Sequence, residues 1–180
     1  VSVNLADRDT SALVKDSTIT QTNTTENKED LIGKEDLIGI AAEDSSNNIA
    51  VSGAAGAGSK AGVGASIGVN VIQANTTAGV ENTGIDAKSA ELDTNARQNT
   101  KLINITAAGA ASKGKMAGAF AASGNAIVGH TAASIDNSAA VQKTVESAGE
   151  IHTDAADHSL LVNVVGSAAI AQGQEDTTAS

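Results

Sequence analysis

Apolar and polar residues alternate at three places along the chain. Val1, Val3 and Leu5 are separated by Ser2 and Asn4, and Ile67, Val69 and Val71 by Gly68 and Asn70. The third instance is weaker, with Ala122, Gly124 and Ala126 in the same places. Period two predicts a half-buried strand at each. The alternation opens a longer recurrence that needs no gap. Asn4, Asn70 and Asn125 are followed by Thr10, Thr76 and Thr131, then by Ala12, Ala78 and Ala133, then by Val14, Val80 and Ile135. The pairs Asp16-Ser17, Asn82-Thr83 and Asn137-Ser138 close it, and their short polar side chains suit turns. Each copy reads as strand, bend, strand, turn. An inward Asn in a β-helix stacks into a ladder. Here the alternation with apolar neighbours points Asn4, Asn70 and Asn125 to solvent instead.

A second block recurs between these copies. Ile49 to Ser52, Ile103 to Thr106 and Val162 to Val164 read as strands, each followed by a tract of Gly, Ala and Ser. The Asn positions 4, 70 and 125 give spacings of 66 and 55 residues, dividing the chain into repeats of about 1–62, 63–118 and 119–180. The first repeat is longer because Lys28-Glu29-Asp30-Leu31-Ile32-Gly33 is followed by the identical Lys34-Glu35-Asp36-Leu37-Ile38-Gly39. Residues 28–39 therefore read as an insertion loop of one or two short helical turns. It is the candidate binding loop, because solenoids carry insertions on the surface; a neutral duplication is the simpler alternative. A period of about 55 is too long for one coil of roughly 20 residues, so two or three coils per repeat, and something like eight in all, are expected.

Composition changes the picture from globule to solenoid. Apolar residues make up 41%, but there is one Phe, one Met, no Trp, Tyr, Pro or Cys, and 18 Gly. Small residues bury little area each and fill a narrow interior better than a globular core. The expected fold is all-β: a right-handed parallel β-helix, one segment (1–180) of a longer solenoid. The missing Pro fits, since Pro removes a ladder donor, and the right hand follows from the rule for parallel crossovers. The net charge of −10 argues against nucleic acid and against anionic membrane surfaces. Absent Cys excludes disulfides and thiolate metal sites. The start at Val1 inside a repeat suggests a piece of a longer protein, with any signal peptide or anchor outside it.

The tract Ala61 to Val80 (AGVGASIGVNVIQANTTAGV) resembles repeats of very large bacterial surface and secreted proteins. These are the filamentous-haemagglutinin-like adhesins and autotransporter passengers of type V secretion. It is also similar to repeat regions of the fusobacterial leukotoxin group. The resemblance covers nearly the whole chain, except for the Lys-Glu-Asp-Leu-Ile-Gly duplication. It implies a right-handed parallel β-helix, export to the bacterial cell surface or medium, and roles in adhesion or host-cell damage. It supplies no catalytic residues.

No other constellation outweighs this reading. Gly53 to Lys60 is glycine-rich, but Ser59-Lys60 reverses the order a phosphate-binding loop requires. His130, His152 and His158 lack metal-ligand spacing, and Asp16 and Asp136 near turns offer Ca²⁺ too few oxygens. Asn23, Asn75 and Asn104 open glycosylation-type triplets best read as chance. Ala107 to Gly129 has small-residue spacing suited to a membrane helix, opposed by Lys113, Lys115 and its glycines. No catalytic, cofactor or metal residue is assigned. The expectation is an adhesive stalk segment of an exported surface adhesin, partnered by a host-cell receptor or matrix component and by the remainder of its own polypeptide. A leukotoxin fragment acting on leukocytes is the alternative, and it alone includes membrane contact. A polysaccharide-active β-helix enzyme ranks third, because sugar-binding grooves use aromatic platforms that this chain lacks.

Overall fold

The computed structural model describes residues 1–20, 36–87, 90–137, 143–147 and 150–173. All regular structure among them is strand: β1 (Ser2–Lys15), β2 (Thr18–Thr20), β3 (Asp36–Gly58), β4 (Ala61–Glu81), β5 (Gly84–Ala87), β6 (Ala90–Ser112), β7 (Met116–Asp136), β8 (Val145–Ser147) and β9 (Ile151–Ala171). They form three parallel sheets in the orders β1-β4-β7, β2-β5-β8 and β3-β6-β9. The chain is a parallel β-helix of three described coils, β1–β3, β4–β6 and β7–β9.

Each sequence repeat is therefore one coil, not two or three. The reason is strand length. β3 and β6 each run 23 residues, and β4, β7 and β9 each run 21. A strand of that length spans about 70 Å at about 3.3 Å per residue. The bend expected between the Asn and Val positions is absent. Asn70 and Val80 lie in one uninterrupted strand, in register with Asn4 and Val14 below and Asn125 and Ile135 above. The hexapeptide insertion lies outside the described residues for 28–35, whereas Asp36 to Gly39 open β3 in register with Ala90 to Asp93. For these four residues strand replaces the expected helical turn.

In cross-section a coil is a wedge. At one end the short β2-β5-β8 sheet closes the gap between the long sheets. The largest aliphatic cluster fills it: Ile40, Val80, Ile85 and Leu92, with Val14, Ile19, Ile38, Ile135 and Val145 packed around. Turns at Asp16 and Asn82 lead into that corner, and both residues have positive φ, 51° and 48°. Asp and Asn tolerate this region better than other side chains with a Cβ, so the predicted turn residues sit where the backbone needs them. At the other end two-residue and three-residue turns, Ser59-Lys60 and Lys113 to Lys115, fold each coil directly into the next. There the sheets touch backbone to backbone. A Cβ added at Gly56 would lie 1.9 Å from the Val63 carbonyl oxygen, and one at Gly64 would lie 2.0 Å from that of Gly109.

Side-chain parity is inverted relative to the local alternation. Val3, Leu5, Val69, Ile49, Val51 and Ile105 point outward, while Asn70, Thr76, Asn104 and Thr106 are buried with Ile72, Ala78, Val80 and Leu102. Val80 must face the corner cluster, and every second residue back along the same strand reaches Asn70. The strand has one parity along its length, and the corner sets it.

The close approach at the turn end gives a direct test. Gly64→Ala is expected to cost about 1–3 kcal/mol, because its methyl has no space. At Gly124, where nothing lies within 4 Å of an added Cβ, alanine should be neutral or gain up to about 1 kcal/mol. Urea denaturation of both variants checks this; equal midpoints would contradict the wedge.

Candidate functional site

The recurrent Asn, Thr and Ala positions are interior ladders, and the Asn side chains do not face solvent. Asn70 Nδ2 donates to Asn125 Oδ1 at 2.7 Å in the coil above and to Asn104 Oδ1 at 2.9 Å across the core. Asn104 Nδ2 donates to Asn163 Oδ1 at 2.9 Å and to Thr106 Oγ1 at 3.1 Å. Ser123 Oγ donates to Asn163 Oδ1 at 2.8 Å. Carboxamides suit this place because each supplies both donor and acceptor, and the spacing of parallel strands matches amide-to-amide bonding. Asn4 continues the column in register. Nearer the corner, Thr76 Oγ1 and Thr131 Oγ1 both donate to Gln98 Oε1, at 3.4 and 3.3 Å; Thr10 shares their register. Ala12, Ala78 and Ala133 form a third column against Ala42 and Ala96. These residues set register and spacing; the second-coil members Asn70, Thr76, Ala78 and Asn104 are buried.

Among the described residues one ion pair enters the interior of the first coil. Arg8 Nη2 lies 3.1 Å from Asp44 Oδ2, and the Asp44 side chain is 9% exposed. The same places hold Ala74 and Gln98 in the second coil and Gly129 and Asp157 in the third. The small Ala74 beside Arg8 leaves room for the guanidinium.

The other sequence candidates are scattered. Of the candidate binding loop, Lys28 to Glu35 lie outside the described residues, and Ile38 packs against the corner cluster. Gly53 to Lys60 ends β3 and makes the turn, with Gly56 and Gly58 pressed on the carbonyls of Val63 and Ala61; it joins strand to strand rather than opening a helix. Asn104 of the glycosylation-type triplets is 1% exposed and closed off by its hydrogen bonds. Among the described residues no group of three or more His, Asp or Glu converges as a metal site. Ala107 to Gly129 is strand, turn and strand rather than helix, and no helix among the described residues is long and apolar enough to cross a membrane.

The feature sequence reasoning missed lies on the outside. The thin, turn-side half of the wedge carries apolar residues on both outer faces. One face bears Val3 and Leu5 beside Val69 and Val71, then Val63, Phe120 and Met116 toward the turn. The opposite face stacks Ile49, Ile103 and Val162 in one row and Val51, Ile105 and Val164 in the next. Val63 is 75% exposed and Met116 70%. Beside the turn a shallow apolar trough of about 620 Å³ is lined by Ala57, Ala111, Ile170 and the turn residues. The thicker half is polar outside, with Asp7, Asp9, Glu43 and Asp93 at outward positions. The signal was present in the sequence as the paired Val and Ile residues themselves, once their parity is known.

No protein-family model, curated protein or solved structure matches the chain.

The interior network predicts a specific coupling. Asn104→Ala should lose about 1–3 kcal/mol, because it strands the buried Asn70 amide. The Asn70→Ala/Asn104→Ala double variant should lose clearly less than the sum of the two single losses. A double-mutant cycle by chemical denaturation measures this, and strict additivity would contradict the bond across the core.

Proposed function

We propose that the chain is a structural and adhesive stalk segment of an exported bacterial surface adhesin, displaying or mediating attachment to host cells. The observation that carries this reading is the in-register stacking of three repeats into one continuous solenoid. Such an architecture extends by adding coils, each of which buries its face on its neighbour, and so makes a spacer of any length. The uninterrupted strands and the cross-core amides give it stiffness. The sequence resemblance to haemagglutinin-like and autotransporter passenger repeats points the same way, and with it goes a place on the bacterial cell surface or in the medium. Host receptor or matrix contacts would fall on the outer strand faces or on the insertion at 28–39.

The second reading is a fragment of a secreted leukotoxin acting on host leukocytes. It draws its support from the exposed aliphatic rows, since contiguous exposed apolar surface on a soluble protein marks an interaction site.

Incubation of the purified chain with epithelial cells and leukocytes, scored for surface binding and dye leakage in the same tubes, separates the two. The adhesin reading expects saturable binding without leakage. Dose-dependent leakage from leukocytes would replace it with the toxin reading.

A further inference from the structure

The outer face of the β3-β6-β9 sheet is sorted by side-chain size. Two rows of β-branched residues, Ile49-Ile103-Val162 and Val51-Ile105-Val164, run through all three coils as a ridge. The next two rows toward the turn hold only Gly and Ala: Gly53-Ala107-Gly166 and Ala55-Gly109-Ala168. The second of these lines a shallow trough of about 380 Å³ together with Ala57, Ala111 and Ile170. A Cβ on Gly109 or Gly166 would meet nothing within 4 Å. No residue is charged from Ser45 to Gly58, from Leu102 to Ser112 or from Ser159 to Ala171. The face owes its exposure to parity and not to a place in the stack: Ile105, in the coil with a neighbour on each side, is still 40% exposed. On the opposite sheet the ridge breaks, since Val3 and Val69 are followed in register by Gly124.

We propose that this face pairs with the same face of a second copy, two solenoids lying side by side about a two-fold axis that runs along the stack of coils. The axis passes at the level of Ser52, Thr106 and Val165, which are in register. It reverses the strand direction and keeps each coil level with its counterpart, so the contact is made by the same patch on both copies. Val51, Ile105 and Val164 then face Gly53, Ala107 and Gly166 of the other copy. Ile49, Ile103 and Val162 face Ala55, Gly109 and Ala168. A large side chain meets a small one at each of these places, so the sheets hold the even spacing of about 10 Å that face-to-face packing requires. At the margin of the third coil Leu160 comes against Ile170, and the two are 50% and 62% exposed in the single chain. The ridge repeats at the strand spacing of about 4.8 Å, and a second stack of coils is a surface that repeats at the same interval. The overlap of about 14 residues on three strands covers about 650 Å² on each copy, at about 3.3 Å per residue and about 4.8 Å per strand. The total of about 1,300 Å² lies in the range of specific, stable interfaces. The nearest charges, Lys101 on one side and Lys60 and Lys113 at the turns, stand at the margins, where their stems carry the ammonium groups to solvent. This inference goes beyond the stalk reading and does not rest on it: pairing is measured without cells, and attachment to cells tests the stalk separately.

Sedimentation equilibrium of the whole chain over a range of concentrations tests the pairing. Wild type is expected to associate to twice the 17.7 kDa chain mass and no further. The Val51→Lys/Ile105→Lys variant should associate about 100-fold more weakly, because it buries unpaired ammonium groups. Val69→Lys, on the opposite sheet, should match wild type. Gly109→Ile separates fitted faces from undirected stickiness. Its side chain enters open space in the single chain and adds apolar surface, yet it fills the place that Ile103 of the other copy occupies, so association should weaken about tenfold or more. Circular dichroism and the urea midpoint of each variant separate lost pairing from lost folding. A monomer at every concentration, or equal association of Val51→Lys/Ile105→Lys and wild type, would overturn the proposal. Tighter association of Gly109→Ile would overturn the two-fold fit in favour of an unspecific apolar patch. Loss of association in Val69→Lys alone would overturn it in favour of the opposite sheet.

Discussion

Backbone meets backbone across the interior at the turn side of the wedge, and the rest of the chain is arranged around that approach. Where two sheets stand at the usual spacing of about 10 Å, large side chains fill the gap. Here Gly56, Gly58, Gly62 and Gly64 bring the carbonyls of the facing strand to within about the distance a methyl would need. Gly, Ala and Ser fill most of this half, which explains a composition with hardly an aromatic residue. Apolar side chains too large for the interior then have one place left, the outer faces. The exposed Val and Ile rows and the thin interior are two sides of one constraint.

The gap opens toward the short sheet, and the interior changes in step: glycine and alanine, then the Asn network, then Thr and Gln, then the aliphatic cluster around Val80, Ile85 and Leu92. The polar middle is more than filler. A strand of 21 residues whose inner face is mostly small side chains has little packing to oppose a slip by two residues, and register is weakest in such strands. Asn70 bonded to Asn125 and Asn104, and Asn104 bonded to Asn163, penalise any slip by leaving buried amides without partners. The carboxamides thus supply register where packing cannot, and the corner cluster supplies the hydrophobic stabilisation.

How far the sequence reveals this depends on the residue. The recurrence of Asn, Thr, Ala and Val is visible because stacked coils repeat the same environment, and it matches the registry Asn4, Asn70, Asn125 residue for residue. The turn residues are legible for the same reason, since Asp16 and Asn82 occupy left-handed backbone. Which side is inside is not legible locally. Val69, Asn70 and Val71 look like an apolar face interrupted by a polar one, and only the even spacing from Asn70 to Val80 through an unbroken strand reverses the assignment. An assumed bend between them permits the parity to reset, and an assumed coil of roughly 20 residues divides each long coil into several short ones.

The central claim is the inverted parity: carboxamides in, aliphatics out. The chain contains no Cys, so single cysteines placed in turn at each position from 67 to 72 report accessibility without background. Maleimide labelling of the folded chain should be fast at 67, 69 and 71 and slow at 68, 70 and 72, with all six equal in denaturant. Fast labelling at 68, 70 and 72 with protection at 67, 69 and 71 would restore the conventional apolar interior and contradict the account.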